Sequence, residues 1–100
     1  MIDLRKHKRV KLTSNVAKSK LNLEIHERDN YTCIVPECGG YVSINEKWHH
    51  EPCGPYKEDV IEKGCLLCYK HHQERDNKNS KQIRQCCENY LEELYAERRW

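Results

Sequence analysis

The sequence predicts a small α+β domain that needs an internal cross-link to stay folded. The chain has 100 residues, which make one domain at most, and only 37% of them are hydrophobic, with no Phe. A domain of this size and composition has a small core and usually depends on disulfides or a bound metal ion. Seven Cys and six His supply candidates for either. Apolar residues at helical spacing near both ends, with a short alternating run between them, predict the helices and a strand.

The cross-link is expected to be a metal ion rather than a set of disulfides. The chain opens with the charged stretch MIDLRKHKRVK, which lacks the apolar segment of a signal peptide. No run approaches the roughly 18 apolar residues of a membrane span. These features predict a soluble cytoplasmic protein that does not bind membranes. In a reducing compartment a cluster of Cys and His is more often a metal site, and the odd number of cysteines agrees with this.

Positive charge is concentrated at the start of the chain. The net charge is only +2, yet residues 1–20 hold seven Lys or Arg against one Asp, while residues 21–100 hold eleven against fifteen acidic residues. Residues 1–13 are therefore predicted to form a basic, loosely ordered arm. Its side chains either bind nucleic-acid phosphates or are simply solvated. The candidates for phosphate binding here are Arg5, Lys6, Lys8, Arg9 and Lys11.

Residues 14–100 are predicted to form the domain, with its core over 25–76. A first helix is expected from Ser14 or Asn15, either of which can cap it, to Arg28. The apolar residues that can share one face of this helix are Val16, Ala17, Leu21 and Ile25. The remaining elements in chain order are a strand over 41–45, a loop over 48–63, an apolar run over 65–67, a helix over 69–77 and a C-terminal helix over about 80–98, best supported from Gln82.

The spacing of the cysteines predicts a structural zinc site. Cys33 and Cys38 are separated by four residues and followed by two glycines, which let the backbone turn so that both sulfurs face one ion. The second pair of ligands is either Cys65 with Cys68 or Cys68 with His71. Either choice gives the four soft or borderline ligands of a tetrahedral zinc shell.

Two histidine doublets flank the second half of the metal pattern. His49-His50 follows the predicted strand, and His71-His72 lies on the helix after Cys68. Successive helical residues point about 100° apart, so two neighbours can serve different sites. We therefore expect His71 to bind the structural zinc and His72 to bind a second, catalytic metal ion.

One combined pattern extends over about residues 25–76. It consists of Arg28-Asp29-Asn30-Tyr31-Thr32-Cys33, then Cys38-Gly39, then His49-His50-Glu51-Pro52, then Asp59, and finally Leu66-Leu67-Cys68-Tyr69-Lys70-His71-His72. This pattern resembles the HNH endonuclease family, and looks closest to small phage-type members that end in L-C-x-x-H-H. The resemblance implies a ββα-metal (His-Me finger) fold with flanking helices, in the cytoplasm of a bacterium or a phage-infected host cell.

The resemblance also implies roles for individual residues. It makes His49 and His72 ligands of a catalytic divalent cation, and His50 the general base. Asp76, one helical turn after His72, is a further candidate ligand. The resemblance also favours His71 over Cys65 as the fourth zinc ligand. The expected catalytic ion is Mg²⁺, Mn²⁺, Ni²⁺, Co²⁺ or Zn²⁺.

The substrate implied by the resemblance is DNA, double-stranded in the first instance, with a 5′-phosphate left on the product. Basic residues in the second half of the chain are expected to contact the DNA backbone together with the N-terminal arm. The residues expected to do so are Lys70, Arg75, Lys78, Lys81 and Arg84.

Three positions depart from the family pattern. Lys63 occupies the position of the family's central Asn, which holds the loop that orients the base. Pro52 follows His50 by two positions where three is commoner, and His71 replaces a commoner Cys. The alternatives to a nuclease are a non-catalytic zinc module that binds nucleic acid or protein, with a decayed site at Lys63, and a Cys/His metallochaperone or redox protein.

Overall fold

The computed structural model describes residues 10–51 and 57–96. These residues form three helices and one two-stranded antiparallel sheet, so the predicted α+β class is confirmed. In chain order the elements are α1 (Asn15–Arg28), β1 (His49–His50), a single 3₁₀ turn (Ile61–Lys63), β2 (Gly64–Cys65), α2 (Tyr69–Asp76) and α3 (Ser80–Tyr95). Within the described ranges no helix is both long enough and apolar enough to cross a membrane.

The first helix begins and ends where the sequence predicts. Ser14 caps α1, and its hydroxyl accepts a hydrogen bond from the Ala17 N–H at 3.3 Å. Leu21 and Ile25 are buried as expected. The prediction for Val16 is wrong, because this side chain is 80% exposed. The buried residues of the helix begin at Leu21, so the helix enters the core only from its second half onward.

The short strands meet at the histidine doublet. β1 pairs with β2 so that His49 lies opposite Cys65 and His50 opposite Gly64. The predicted loop over 48–63 therefore starts with a strand. A side chain at Gly64 would collide with the ring of Trp48, which is almost fully buried. The glycine thus lets the indole pack directly on the backbone of β2.

The strand predicted over 41–45 does not form, and a single bridge between Thr32 and Tyr41 takes its place. The Cys33 N–H donates to the Gly40 carbonyl at 2.8 Å, and the Val42 N–H donates to the Tyr31 carbonyl at 2.8 Å. These bonds close the segment between the first two cysteines into a tight turn. The turn is too short to continue as a ladder.

The last two helices pack against each other and against β2. α2 ends one residue before the predicted limit, and α3 starts at Ser80. Ile83, Cys87 and Leu91 form the buried face of α3, whereas Leu94 is 43% exposed. The predicted end of this helix, at residue 98, lies outside the described residues.

A buried carboxylate joins the elements at the centre of the fold. Asp29, the C-cap of α1, has a completely buried side chain. One oxygen accepts hydrogen bonds from Arg28 Nε at 2.7 Å and from the Tyr90 hydroxyl of α3. The other accepts from Arg28 Nη2 at 2.9 Å and from the Leu66 N–H at 3.0 Å. One side chain therefore fixes α1, α3 and the segment after β2.

The partner guanidinium extends the same network. Arg28 donates through Nη1 to the Ile61 carbonyl at 2.6 Å and the Tyr95 hydroxyl at 2.9 Å, and through Nη2 to the Gly64 carbonyl at 2.5 Å. Burial alone would lower the pKa of Arg28, but the hydrogen bond and charge of Asp29 raise it. Arg28 is therefore protonated, and the hydrogen bonds that it donates are charge-assisted.

We predict that Asp29→Asn destabilises the protein by about 3–5 kcal/mol, because it leaves the Arg28 charge buried without compensation. The change preserves the size of the side chain, so packing is nearly constant. Urea unfolding followed by circular dichroism measures the loss. Asp76→Asn, at an exposed carboxylate, is the matched control and should change stability by less than about 0.5 kcal/mol. Similar losses in both variants would contradict the central role of Asp29.

Candidate functional site

The first cluster of metal-ligand side chains lies where the turn after α1 meets the start of α2. Cys33 and Cys38 belong to the tight turn, in which Gly39 adopts a left-handed backbone with φ +65°. Cys68 is the N-cap of α2, and His71 lies in its first turn. The four ligand atoms lie within 4.8 Å of one another. These side chains could therefore hold a metal ion such as zinc.

The distances within this cluster fit a tetrahedral zinc shell. Zinc bound at its usual bond lengths separates two sulfurs by about 3.8 Å and a sulfur from a nitrogen by about 3.5 Å. Cys38 and Cys68 sulfurs are 3.9 Å apart, and His71 Nδ1 is 3.4 Å from the Cys33 sulfur and 3.3 Å from that of Cys68. A Cβ added at Gly40 would lie 3.3 Å from the Cys38 sulfur, so the second glycine leaves room for this packing.

The competing ligand, Cys65, lies outside this cluster. Its side chain is fully buried, with the thiol of Cys87 on α3 as its neighbour. That contact and burial raise the pKa of Cys65 well above its ordinary value, which keeps the thiol protonated. The geometry therefore selects His71 from the two alternatives that the spacing leaves open.

The second cluster contains the other histidines. β1 and α2 bring the rings of His49 and His72 edge to face, with their centroids 5.3 Å apart. Burial lowers the pKa of His72, and the neighbouring His49 acts in the same direction, against the opposing charge of Asp76. Both effects favour the neutral imidazole, the form that binds a cation.

His49 is held by a buried ion pair. Its Nε2 lies 3.1 Å from Glu51 Oε2, and Arg75 grips both oxygens of Glu51 at 3.0 and 3.1 Å. Although burial opposes it, the hydrogen bonds from His49 and Arg75 lower the pKa of Glu51. An ionised carboxylate must accept, so Nε2 of His49 carries the proton and Nδ1 holds the lone pair.

A ligand atom of Cys87 also lies within 4.8 Å of those of His49 and Glu51. Because Arg75 already occupies both oxygens of Glu51, we interpret this trio as a hydrogen-bonded network. Asp76 is exposed, and among the described residues it does not form a group of three ligand atoms with His49 and His72. The carboxylate that the fold places against His49 is thus Glu51, which the sequence pattern includes without assigning it a role.

His50 faces the opposite side of β1 and is held by a different carboxylate. Its Nε2 lies 2.7 Å from Asp59 Oδ1, and Asp59 Oδ2 accepts the Leu12 N–H at 2.7 Å. Although burial opposes it, these hydrogen bonds lower the pKa of Asp59, so the carboxylate is ionised and Nε2 of His50 carries the proton. Burial lowers the pKa of His50, and the charges of Lys47 and Lys57 act in the same direction.

Lys63, at the position of the family's Asn, also supports this dyad. Its ammonium forms an ion pair with Glu58. The other oxygen of Glu58 accepts the Val10 N–H at 3.2 Å, and the next residue, Asp59, donates its N–H to the Val10 carbonyl at 2.8 Å. The Lys63 side chain therefore anchors the loop that carries the carboxylate of His50.

The basic residues are only partly where the sequence predicts them. The prediction that Arg75 contacts a nucleic-acid backbone is wrong, because its side chain is buried against Glu51 and also donates to Ser80 Oγ at 3.0 Å. Lys11 and Lys70 are exposed. Arg5, Lys6, Lys8 and Arg9 lie outside the described residues. No sequence pattern predicts that Lys18, Lys47 and Lys57 lie near His50, because these lysines are scattered along the chain.

A pocket of about 520 Å³ opens beside His50. The imidazole and Asp59 line one part of it, and the ring of Trp48 packs against that of His50 with centroids 4.0 Å apart. The imidazole of His50, whose Nδ1 carries the lone pair, therefore forms part of a concave surface. This arrangement can take a proton from a molecule bound in the pocket.

Comparisons with known proteins do not assign a family to this chain. No family model, no curated protein and no solved structure matches the chain. The likeness to HNH endonucleases therefore remains an expectation from the sequence pattern.

We predict that the purified protein contains one tightly bound metal ion per chain in the Cys33 cluster. His71→Ala should lose that ion, since it removes one of four ligands, whereas Cys65→Ser should retain it. Inductively coupled plasma mass spectrometry of each variant measures the content. His71→Cys restores a four-ligand shell and should bind the ion again. Loss of metal from Cys65→Ser with retention in His71→Ala would overturn the assignment.

Proposed function

We propose that this protein is a metal-dependent endonuclease of the HNH type that hydrolyses DNA phosphodiester bonds. The observation that carries the proposal is the pairing of His50 with the ionised Asp59 at a pocket, on the strand whose other histidine meets His72. The two-stranded sheet, its connecting loop and one helix thereby supply a base, the carboxylate that orients it and two imidazoles that can hold a cation. Hydrolysis of a phosphodiester needs these groups.

The order of the elements supports the same proposal. A strand, a long loop, a second strand and a helix follow one another from His49 to Asp76. The strands are antiparallel, and the helix carries the last histidine of the pattern. This is the order that a ββα-metal fold requires, and we infer that fold for the segment. The Lys63 ion pair supplies the loop support that the family's Asn provides, which argues against a decayed site.

In the proposed reaction His50 is the general base. Its neutral ring accepts a proton from water through Nδ1, because Nε2 already donates to Asp59. The carboxylate holds the ring in this tautomer and stabilises the imidazolium that forms. The hydroxide then attacks phosphorus in line with the departing sugar oxygen.

His49 and His72 are the proposed ligands of the catalytic cation. A divalent cation held there would stabilise the negative charge that develops on the departing oxygen. Glu51 accepts a hydrogen bond from Nε2 of His49, and this leaves Nδ1 available as a ligand. A carboxylate behind a ligating histidine is a common feature of metal sites, because it fixes the ring and raises its basicity.

We infer that the ion in the Cys33 cluster is zinc. Three thiols and one imidazole are the donor set of structural zinc sites, and the sulfur and nitrogen separations fit zinc bond lengths. Burial raises the pKa of the Cys33 thiol, and a bound dication supplies the charge that stabilises its thiolate. This ion has a closed shell of protein ligands and therefore a structural role.

We predict that the protein nicks supercoiled plasmid DNA when Mn²⁺ or Mg²⁺ is added, and that His50→Ala lowers the rate about 10²- to 10⁴-fold. The reason is that the variant loses the proton acceptor while keeping the cation ligands. Conversion of supercoiled to open-circular DNA on agarose gels measures the rate. Metal content and circular dichroism spectra should match those of the wild type.

Plasmid that stays intact under all divalent ions would exclude the nuclease and favour a non-catalytic zinc module. Equal cleavage by His50→Ala and the wild type would show that the activity comes from another source. Gln82→Ala, an exposed change on α3, is the control for nonspecific effects of substitution and should retain the wild-type rate within about two-fold.

We also predict that Glu51 positions His49 for the cation. Replacing Glu51 and Arg75 together by Gln removes both buried charges and keeps a hydrogen-bonding pair in their place. The Mn²⁺ concentration for half-maximal nicking should rise about 10- to 100-fold, as expected when a carboxylate behind a metal ligand is lost. The rate at saturating Mn²⁺ should change much less.

Glu24→Gln, at an exposed carboxylate of α1, is the control for this measurement. It should leave the Mn²⁺ dependence unchanged. A double variant with normal Mn²⁺ dependence and a reduced maximal rate would contradict the positioning role. In that case the ion pair would contribute to the fold rather than to the metal site.

A further inference from the structure

Four lysines surround the mouth of the pocket beside His50. They come from three separate segments, and all are exposed. We call these the pocket lysines: Lys11, Lys18, Lys47 and Lys57. In the part of the chain that the structure describes, none of them forms an ion pair. Asp59 is the acidic residue of the lining, and it is engaged by His50 and by the Leu12 N–H.

One part of the pocket wall is apolar. Leu12, Leu21 and Trp48 form part of it, and Ile44 adds a side chain that is 40% exposed. The volume of about 520 Å³ lies within the range of roughly 300–1,000 Å³ typical of small-molecule sites. It is far larger than a lone phosphate group needs. The pocket therefore suits a ligand that has an apolar, planar part as well as negative charge.

One polar atom of the lining has no partner. Asn22 donates through Nδ2 to the Ile44 carbonyl at 3.0 Å, but its Oδ1 is buried without a hydrogen bond among the described residues. Such an orphaned acceptor is costly and is rare in folded proteins. Because this oxygen is buried, the amide would have to rotate before a bound N–H donor could reach it.

We propose that this pocket is a binding subsite for one unpaired nucleotide of the DNA strand that is cut. The inference rests on the proposed nuclease function, since it places that nucleotide next to the phosphate that His50 serves. The pocket lysines would hold its phosphates, the apolar wall would contact its base, and Asn22 would accept a hydrogen bond from the base. A fully paired duplex keeps its bases stacked inside the helix, and flipping one out into a pocket costs about a few kcal/mol that an unpaired nucleotide does not require.

The substrate class that follows is DNA with an unpaired nucleotide at the cleavage site. Fluorescence anisotropy without added divalent ions tests this with two 5′-fluorescein probes, a fully paired 16-base-pair duplex and the same duplex carrying one unpaired thymidine. The wild type should bind the second probe at least about ten-fold tighter, a modest part of the stacking and hydrogen-bonding energy available to one base. Ile44→Glu, which places a negative charge on the apolar wall, should abolish the difference.

Two triple variants separate the pocket from the rest of the surface. Lys18→Gln, Lys47→Gln and Lys57→Gln together remove three charges at the pocket. Lys78→Gln, Lys81→Gln and Arg84→Gln together remove three exposed charges on and before α3. The pocket variant should bind the unpaired probe at least about ten-fold more weakly, and its salt dependence should fall by about 2–3 in log–log slope. The α3 variant should keep the preference for the unpaired probe.

The outcomes distinguish this inference from the proposed function. Two results would overturn the subsite even if the protein nicks plasmid. One is equal affinity of the wild type for both probes, and the other is an equal loss of affinity for the unpaired probe in the two triple variants. Selective binding of the unpaired probe that depends on the pocket lysines supports the subsite. If such binding occurs without cleavage in Mn²⁺, the nuclease proposal fails, and what stands is a binding site for an unpaired nucleotide with no cleavage beside it.

Discussion

The fold depends on the buried ion pair between Arg28 and Asp29. Hydrophobic burial in a chain with so few large apolar residues gives little directional information, because such contacts are not specific in orientation. The ion pair supplies that direction through five hydrogen bonds to α3, to the 3₁₀ turn, to β2 and to the segment after it. It therefore sets where β2 lies, and through the two-stranded sheet it sets where the histidines of β1 lie. The ion pair therefore affects the position of the candidate site indirectly, first through β2 and then through β1.

The local parts of this structure could be predicted from the sequence because they depend on local chemistry. The cap of α1, the turn between Cys33 and Cys38 and the two helices of the second half all follow from spacing over a few residues. The metal cluster could be predicted for the same reason, apart from the choice between His71 and Cys65. That choice depends on a contact with Cys87, which lies on another helix.

The parts that could not be predicted are pairings between distant residues. Glu51 and Arg75 are 24 positions apart, and Leu12 and Asp59 are 47 apart. An arginine on a highly charged helix has the pattern of a solvated side chain, and only the tertiary fold shows that Arg75 is buried. The pocket beside His50 was hidden for the same reason, since its lysines come from segments that no sequence motif links.

The position of the metal cluster along the chain links formation of the histidine site to metal binding. Both strands and the loop that carries Asp59 lie between the two pairs of ligands, and the innermost ligands, Cys38 and Cys68, are 30 positions apart. Closing a loop of that length opposes folding by about 3–4 kcal/mol of chain entropy, which metal binding has to offset. The order of the loop is thus linked to the supply of the structural ion. Withholding the ion that we propose for this cluster would therefore leave the chain open and sensitive to proteases.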